Sequence, residues 1–161
     1  LILENKDTWF TFRKLMQATG RNHIAGQRVE LLIYGEGNKI TKKGALEDYA
    51  RGMLYSQAGR AIRFLYFGDL DREGIRLFFR TREANPALSI EPFVPLYLLM
   101  LDLAWGREMP ESPDKRDIPA AVEDFAQLLG SDPAVIMDLL KQGRYIPQEI
   151  INYQILAGIL T

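Results

Sequence analysis

The chain has 161 residues, 47% hydrophobic and 11% aromatic, with a formal net charge of −1, which suffices for one well-formed core and is short for two. It contains no cysteine, and this excludes disulfides, thiolate nucleophiles, zinc–thiolate sites and iron–sulfur clusters. No apolar run approaches the roughly 20 residues of a membrane span and nothing reads as a signal peptide, so a cytoplasmic protein with no membrane attachment is expected.

The chain opens on LILE, an apolar run with no cap before it, which reads as a first strand and as the start of the C-terminal part of a longer protein. Residues 7–18 carry apolar side chains at helical spacing, with Trp9, Phe10 and Phe12 on the expected buried face, and Gly20 closes the helix. The loop GRNHIAG holds the single histidine, His23, expected at the surface. VELLIYGEG (29–37) reads as a buried strand closed by Gly35 and Gly37, and residues 41–59 as a helix opened by Thr41 and softened at Gly44 and Gly52. RFLYFGD is a third strand, REGIRLFFRTRE a third helix, and SIEPFVP a fourth strand whose prolines suit a sheet edge. Tyr34, Tyr49, Tyr55 and Tyr66 fall inside this pattern as packing residues. Beyond Leu96 the spacing predicts helices over 97–105, 118–129, 133–141 and 147–160, with a charged, proline-rich connector GREMPESPDKRD after the first.

Strands alternating with helices predict an α/β domain with a mainly parallel four-stranded sheet flanked by helices. Residues 1–105 form its core, and 106–161 a helical extension packed on the same domain. Ligand sites in such sheets gather at the carboxyl ends of strands. Here that rule assembles Glu4, the turn from Gly35 to Gly37, and the stretch GDLDREG with Asp69, Asp71 and Glu73. Asp69 and Asp71, two apart at a strand terminus, can project to one side, and Glu4 on a neighbouring strand can face them. With one histidine and no cysteine, a metal here needs oxygen ligands, which suits magnesium, manganese or calcium. Without a cation such clustered carboxylates have raised pKa values. Glu73 is either a further ligand or a favourable charge in a helix's first turn. Gly35 and Gly37 allow a phosphate backbone to come close, and Gly74 lets the next helix start tight against the site. Between residues 38 and 82 ten basic side chains face five acidic ones. Lys39, Lys42 and Lys43 beyond the glycines, with Lys6 and Arg72 beside the acids, are the candidates for holding DNA backbone.

Several motifs fail on inspection. DLDREG fits the opening of an EF-hand loop, but Arg80 stands at the twelfth position, where a glutamate is required, and a strand leads in. Haloacid-dehalogenase-type enzymes carry D-x-D on the first strand rather than the third, and GEGNK lacks the Gly-Lys-Ser/Thr of a phosphate loop.

The ordered set of a glutamate ending strand one, G-x-G ending strand two and D-x-D-x-x-G ending strand three resembles the Toprim domain of topoisomerases, bacterial primases and several nucleases. In LILENKDTWF, Asn5 stands where many bacterial Toprim domains have glycine. YGEGNKIT and GDLDREGI are similar to segments of the type IIB topoisomerase A subunit, its meiotic double-strand-break relative and, above all, the nuclease subunit of Wadjet anti-plasmid systems. IPQEI, with Gln148 and Glu149, more weakly resembles a glutamine–glutamate pair near the end of that nuclease. The resemblance implies a Toprim-like fold, catalytic Glu4, Asp69 and Asp71, and a magnesium or manganese ion held by these and Glu73. It implies DNA as substrate, condensin-like subunits as partners, and a homodimer contact outside this segment. Type IIB cleavage uses a tyrosine on a separate DNA-binding domain, so hydrolysis is the preferred expectation. A topoisomerase-like transesterase, a non-catalytic metal-stabilised scaffold for DNA or partners, and a small-molecule phosphohydrolase are the alternatives.

Overall fold

Ile2 and Leu3, both fully buried, form β1 (Ile2–Leu3) at the start of the chain. The computed structural model describes residues 1–53 and 62–161. In chain order there follow α1 (Lys6–Thr19), β2 (His23–Ile24), β3 (Gln27–Arg28), β4 (Ile33–Tyr34), α2 (Ala45–Met53), β5 (Arg63–Phe67), α3 (Arg72–Ala84) and β6 (Ser89–Pro92). Helices α4 (Val94–Ala104), α5 (Val122–Leu129), α6 (Pro133–Lys141) and α7 (Tyr153–Ile159) complete the described elements. The main sheet is parallel, ordered β4-β1-β5-β6, and consistent with a Toprim-like fold. Strand β6 lies at its edge, where Pro92 needs no ladder donor. Among the described residues no helix is long and apolar enough to cross a membrane.

Helix α1 begins where Asn5 accepts hydrogen bonds from the backbone N–H groups of Asp7 and Thr8, and ends at Gly20, whose φ of 69° only glycine adopts cheaply. Its buried face carries Thr8, Phe12 and Leu15, whereas Phe10 is 57% exposed, contrary to expectation. An edge-to-face aromatic chain joins Tyr66 to Phe78, Phe78 to Phe125, Phe125 to Tyr97 and Tyr97 to Phe67, with centroids 5.1–5.6 Å apart. Phe125 comes from α5, so the helices after residue 105 share the hydrophobic core of the sheet.

The second expected strand, 29–37, is reduced to Ile33–Tyr34. It is in register with Ile2 and Leu3 of β1, and flanking hydrogen bonds run from Leu1 N to Leu31 O at 2.7 Å, from Ile33 N to Leu1 O at 2.8 Å and from Gly35 N to Leu3 O at 2.8 Å. The expected loop around His23 is instead a tight antiparallel hairpin, β2–β3, turned through Ala25 and Gly26 with φ of 47° and 76°. The helix expected over 118–129 starts at Val122, and that over 147–160 is broken into a 3-10 turn, Gln148–Ile150, and α7, with Asn152 capping the latter. Tyr55 and the end of the helix expected over 41–59 lie outside the described residues.

Thr41 does not open α2. Gly44 takes φ +70°, and the helix starts at Ala45 under a cap supplied from elsewhere: Asn85 Oδ1 accepts from Leu46 N at 2.8 Å and Glu47 N at 3.4 Å. The Asn85 amide nitrogen donates to Ile40 O and Thr81 O, and the side chain is fully buried. Asn85→Ala therefore leaves several buried polar groups unpaired and should cost roughly 2–4 kcal/mol in denaturant or thermal unfolding. The exposed Asp48→Asn, whose ion pair among the described residues is a surface contact with Arg51, should change stability by less than about 0.5 kcal/mol.

Candidate metal centre

Glu4 and Asp69 leave the carboxyl ends of adjacent parallel strands, β1 and β5. The last ladder bond between them runs from Glu4 N to Phe67 O at 3.2 Å. Gly68 then lets the chain turn: a Cβ there would overlap Glu4 Oε2, so only glycine permits the carboxylate to lie across the end of β5. The buried Tyr66 hydroxyl donates to Glu4 Oε2 at 2.9 Å, and Gly68 N donates to Tyr97 Oη at 3.0 Å. A Cβ at Gly74 would likewise collide with Asp69 O, which lets α3 start hard against the acidic turn. Asp71 caps that helix, its Oδ1 accepting from Gly74 N at 2.6 Å.

The carboxyl groups feel this crowding. Burial pushes Glu4 up to about 8, reinforced by the Asp69 charge, opposed by the Tyr66 hydrogen bond, and raised further by Asp71 and Glu73. Burial raises Asp69 to about 6, with the Gln148 backbone N–H opposing and the Asp71 and Glu149 charges adding. Asp71 is also raised, first by burial, against its bond from Gly74. The structure thus brings Glu4, Asp69 and Asp71 into one electrostatic unit. Among the described residues no three carboxylate or imidazole groups form a closed ligand set. Each carboxylate accepts its own hydrogen bond: Glu4 from the Tyr66 hydroxyl on β5, Asp69 from the backbone N–H of Gln148, and Asp71 from that of Gly74 in α3. The donors are oxygen-only, which fits a hard cation such as magnesium or manganese.

The other sequence-derived candidates are placed as follows. Glu73 is held between Arg80 at 2.6 Å and Arg116 at 2.7 Å, while its charge still reaches Glu4 and Asp71. Arg72 donates through both terminal nitrogens to Asp114 O and Leu140 O, each at 2.7 Å, and so fastens the C-terminal helices to α3. Lys6 is exposed at the first position of α1. Gly35 is buried, its N–H bonded to Leu3 O at 2.8 Å, and Gly37 has φ +58° at the head of a 3-10 turn. Lys39 pairs with Glu36 at 2.6 Å, and Lys42 and Lys43 are exposed. Much of the basic excess read from residues 38–82 is therefore spent internally, in Lys39–Glu36, Arg51–Asp48, Arg63–Glu91, Arg76–Asp114 and Arg80–Glu73.

The fourth side of the site comes from the far end of the chain. Leu70 and Ile146 form an antiparallel bridge, with Leu70 N donating to Ile146 O at 2.9 Å. That bridge sets Gln148 and Glu149 against the carboxylates: Gln148 N donates to Asp69 Oδ1 at 2.6 Å, and Asn5 Nδ2 donates to Glu149 Oε1 at 2.6 Å. Burial and the Asp69, Glu149 and Asp71 charges also raise the phenol of Tyr145. In sequence the only pointer to these residues is the resemblance of IPQEI, because no periodicity or motif spacing ties residue 148 to residue 4.

Fold and site together define an α/β protein with an acidic, oxygen-ligand cluster at the carboxyl end of a parallel sheet. The family model described as Wadjet protein JetD, C-terminal, matches residues 1–160, and the chain belongs to that family. No curated protein and no solved structure matches it.

The shift at Glu4 has a measurable sign. Its folded pKa is raised from 4.5 to about 8, so the stability this group contributes is fully present below about pH 4.5 and is lost as pH rises through about 8. Gln at this position has no proton to lose. In metal-free protein, Glu4→Gln should unfold close to wild type at pH 4.5 and be more stable by on the order of 3–5 kcal/mol near pH 8.5. A difference between the two melting curves that does not change with pH would contradict the burial of this charge.

Proposed function

We propose that this domain is the metal-dependent DNA-cleaving part of a Wadjet nuclease subunit, with a Toprim-type site related to that of the type IIB topoisomerase A subunit. One observation carries the reading: Glu4, Asp69 and Asp71 converge at the ends of β1 and β5, where burial raises the pKa of all three and the Asp69 and Asp71 charges add to the rise at Glu4, a cost that a bound cation would offset. Glu4, Asp69 and Asp71 would hold magnesium or manganese, with Glu73 contributing charge from its arginine cradle. Such an ion polarises a phosphodiester, stabilises the leaving oxygen and lowers the pKa of water. Around it, Tyr66 turns the Glu4 carboxylate and the backbone of Gln148 orients that of Asp69. Gly35, Gly37, Lys6, Lys39, Lys42 and Lys43 offer a close, partly cationic approach for the DNA backbone, whereas Arg72 is engaged by carbonyls.

We prefer hydrolysis to transesterification, which would need a nucleophilic tyrosine other than the two packed at the strand ends. Tyr66 and Tyr97 are buried with engaged hydroxyls, and burial holds both phenols well above their usual pKa, which suits neither to nucleophilic attack. Family membership supports action within a Wadjet complex; in the proposed reading, condensin-like subunits would deliver the DNA.

The test is plasmid cleavage by the protein with its Wadjet partners, in magnesium, in manganese and in chelator. Cleavage should require metal, leave DNA ends free of covalent protein on denaturing gels, and fall about 100-fold or more in Glu4→Gln and Asp71→Asn. Asp48→Asn should cleave like wild type. Saturating metal, at about a hundredfold excess over its dissociation constant, should stabilise wild type by about 2.7 kcal/mol and the two site variants much less. Undiminished cleavage in chelator would sink the reading. Metal stabilisation without cleavage would assign a non-catalytic scaffold, and protein trapped on DNA ends a topoisomerase-like transesterase.

A further inference from the structure

The two strands that carry the carboxylates part company one residue too early. Their ladder ends at the bond from Glu4 N to Phe67 O, because Gly68 N turns away to Tyr97 and Asn5 becomes the cap of α1. Yet Asn5 N and Phe67 O are both satisfied across this gap by a single side chain. Gln148 Oε1 accepts from Asn5 N at 2.8 Å, and Gln148 Nε2 donates to Phe67 O at 2.9 Å. Its carboxamide thus takes the place of a peptide group and adds one more rung between the ends of β1 and β5. The side chain is fully buried, so both bonds are made away from competing water. The backbone N–H of the same residue holds Asp69 Oδ1 at 2.6 Å. Two neighbouring contacts fix Gln148 in turn: the Leu70–Ile146 bridge on one side and the Asn5–Glu149 hydrogen bond on the other.

We infer that Gln148 is a positioning residue of the metal centre: its side-chain amide sets the separation of the strand ends bearing Glu4 and Asp69, and its backbone N–H sets the rotamer of Asp69. The inference rests on the metal-binding reading above and extends it to a residue about 80 positions from one strand and over 140 from the other. A ligand set tolerates little displacement, and a rung that fixes strand spacing acts on Glu4 and Asp69 together. Glu4 and Asp69 would touch the ion; Gln148 would act only through them.

A purely structural role, satisfying two buried backbone groups, predicts loss of stability with unchanged metal affinity in the folded protein. The separating experiment is manganese titration of the protein by calorimetry, with the electron paramagnetic resonance spectrum of the bound ion as a second readout. Gln148→Met keeps the length of the side chain but removes both amide contacts. It should weaken manganese binding by about tenfold or more and broaden the bound-ion spectrum. Ile136→Val, a core trim on α6, should lower the melting temperature while leaving manganese affinity and spectrum as in wild type. Should Gln148→Met fail to fold, Asn5→Ser takes its place, since serine still caps α1 but releases Glu149; a loss of about threefold in affinity is then expected. Wild-type affinity in Gln148→Met, or in Asn5→Ser where the first variant does not fold, overturns the positioning role. If wild type itself binds no manganese at millimolar concentration, the metal-binding reading fails instead, and the positioning role falls with it.

Discussion

Carboxylates of like charge packed at the buried ends of neighbouring strands are the constraint around which this molecule is arranged. Glu4, Asp69 and Asp71 sit where the sheet gives out, partly out of water; burial raises the pKa of each, and the Asp69 and Asp71 charges raise that of Glu4 further. A fold can keep such groups together only by giving every one of them a partner and every neighbouring backbone group a bond. Tyr66, the Gln148 backbone and Gly74 serve the carboxylates; Tyr97 and the Gln148 side chain serve the strand ends. Two glycines, Gly68 and Gly74, stand where any Cβ would strike an oxygen of the cluster. The local sequence around the acids is therefore shaped by their crowding as much as by the sheet.

The same constraint explains the division of labour among the cations. Arg72, Arg76, Arg80 and Arg116 are bound to the connector, to α6 or to Glu73, rather than left to neutralise Glu4 and Asp69 directly. Asp114 shows the contrast: Arg116 holds its carboxyl down to about 2, whereas Glu4 has no basic side chain among the groups that perturb it. An arginine beside Glu4 would stabilise its ionised form and weaken the attraction for a metal. The arginines instead tie the proline-rich connector and the C-terminal helices to α3, the helix whose first turn follows the acidic loop.

The sheet and most helices were legible because their signals are local. Buried runs such as RFLYF and amphipathic runs such as REGIRLFFRTRE declare their period within a dozen residues. The convergence of Glu4 and Asp69 was legible because residues that follow the carboxyl ends of adjacent parallel strands must lie together. What escaped the reading depends on partners distant in sequence. Val29, Leu31 and Leu32 look like strand, but the parallel register with β1 holds only Ile33 and Tyr34. Thr41 looks like a cap, but Asn85 does that work from the end of α3. Gln148 looks like an ordinary polar residue before a helix, and only three dimensions place its amide between Asn5 and Phe67.

The strap around Ile146 and Gln148 has a consequence for how the protein is made. All four strands of the main sheet are synthesised by Pro92, yet the wall that closes over Asp69 is encoded more than fifty residues later. Contacts across so long a separation form late, after the intervening chain has been ordered. A chain released before residue 146 would lack the bridge partner of Leu70 and the side-chain amide that joins the two strand ends. Until that strap is in place, Asp69 Oδ1 would lack the Gln148 N–H and Phe67 O the Gln148 amide.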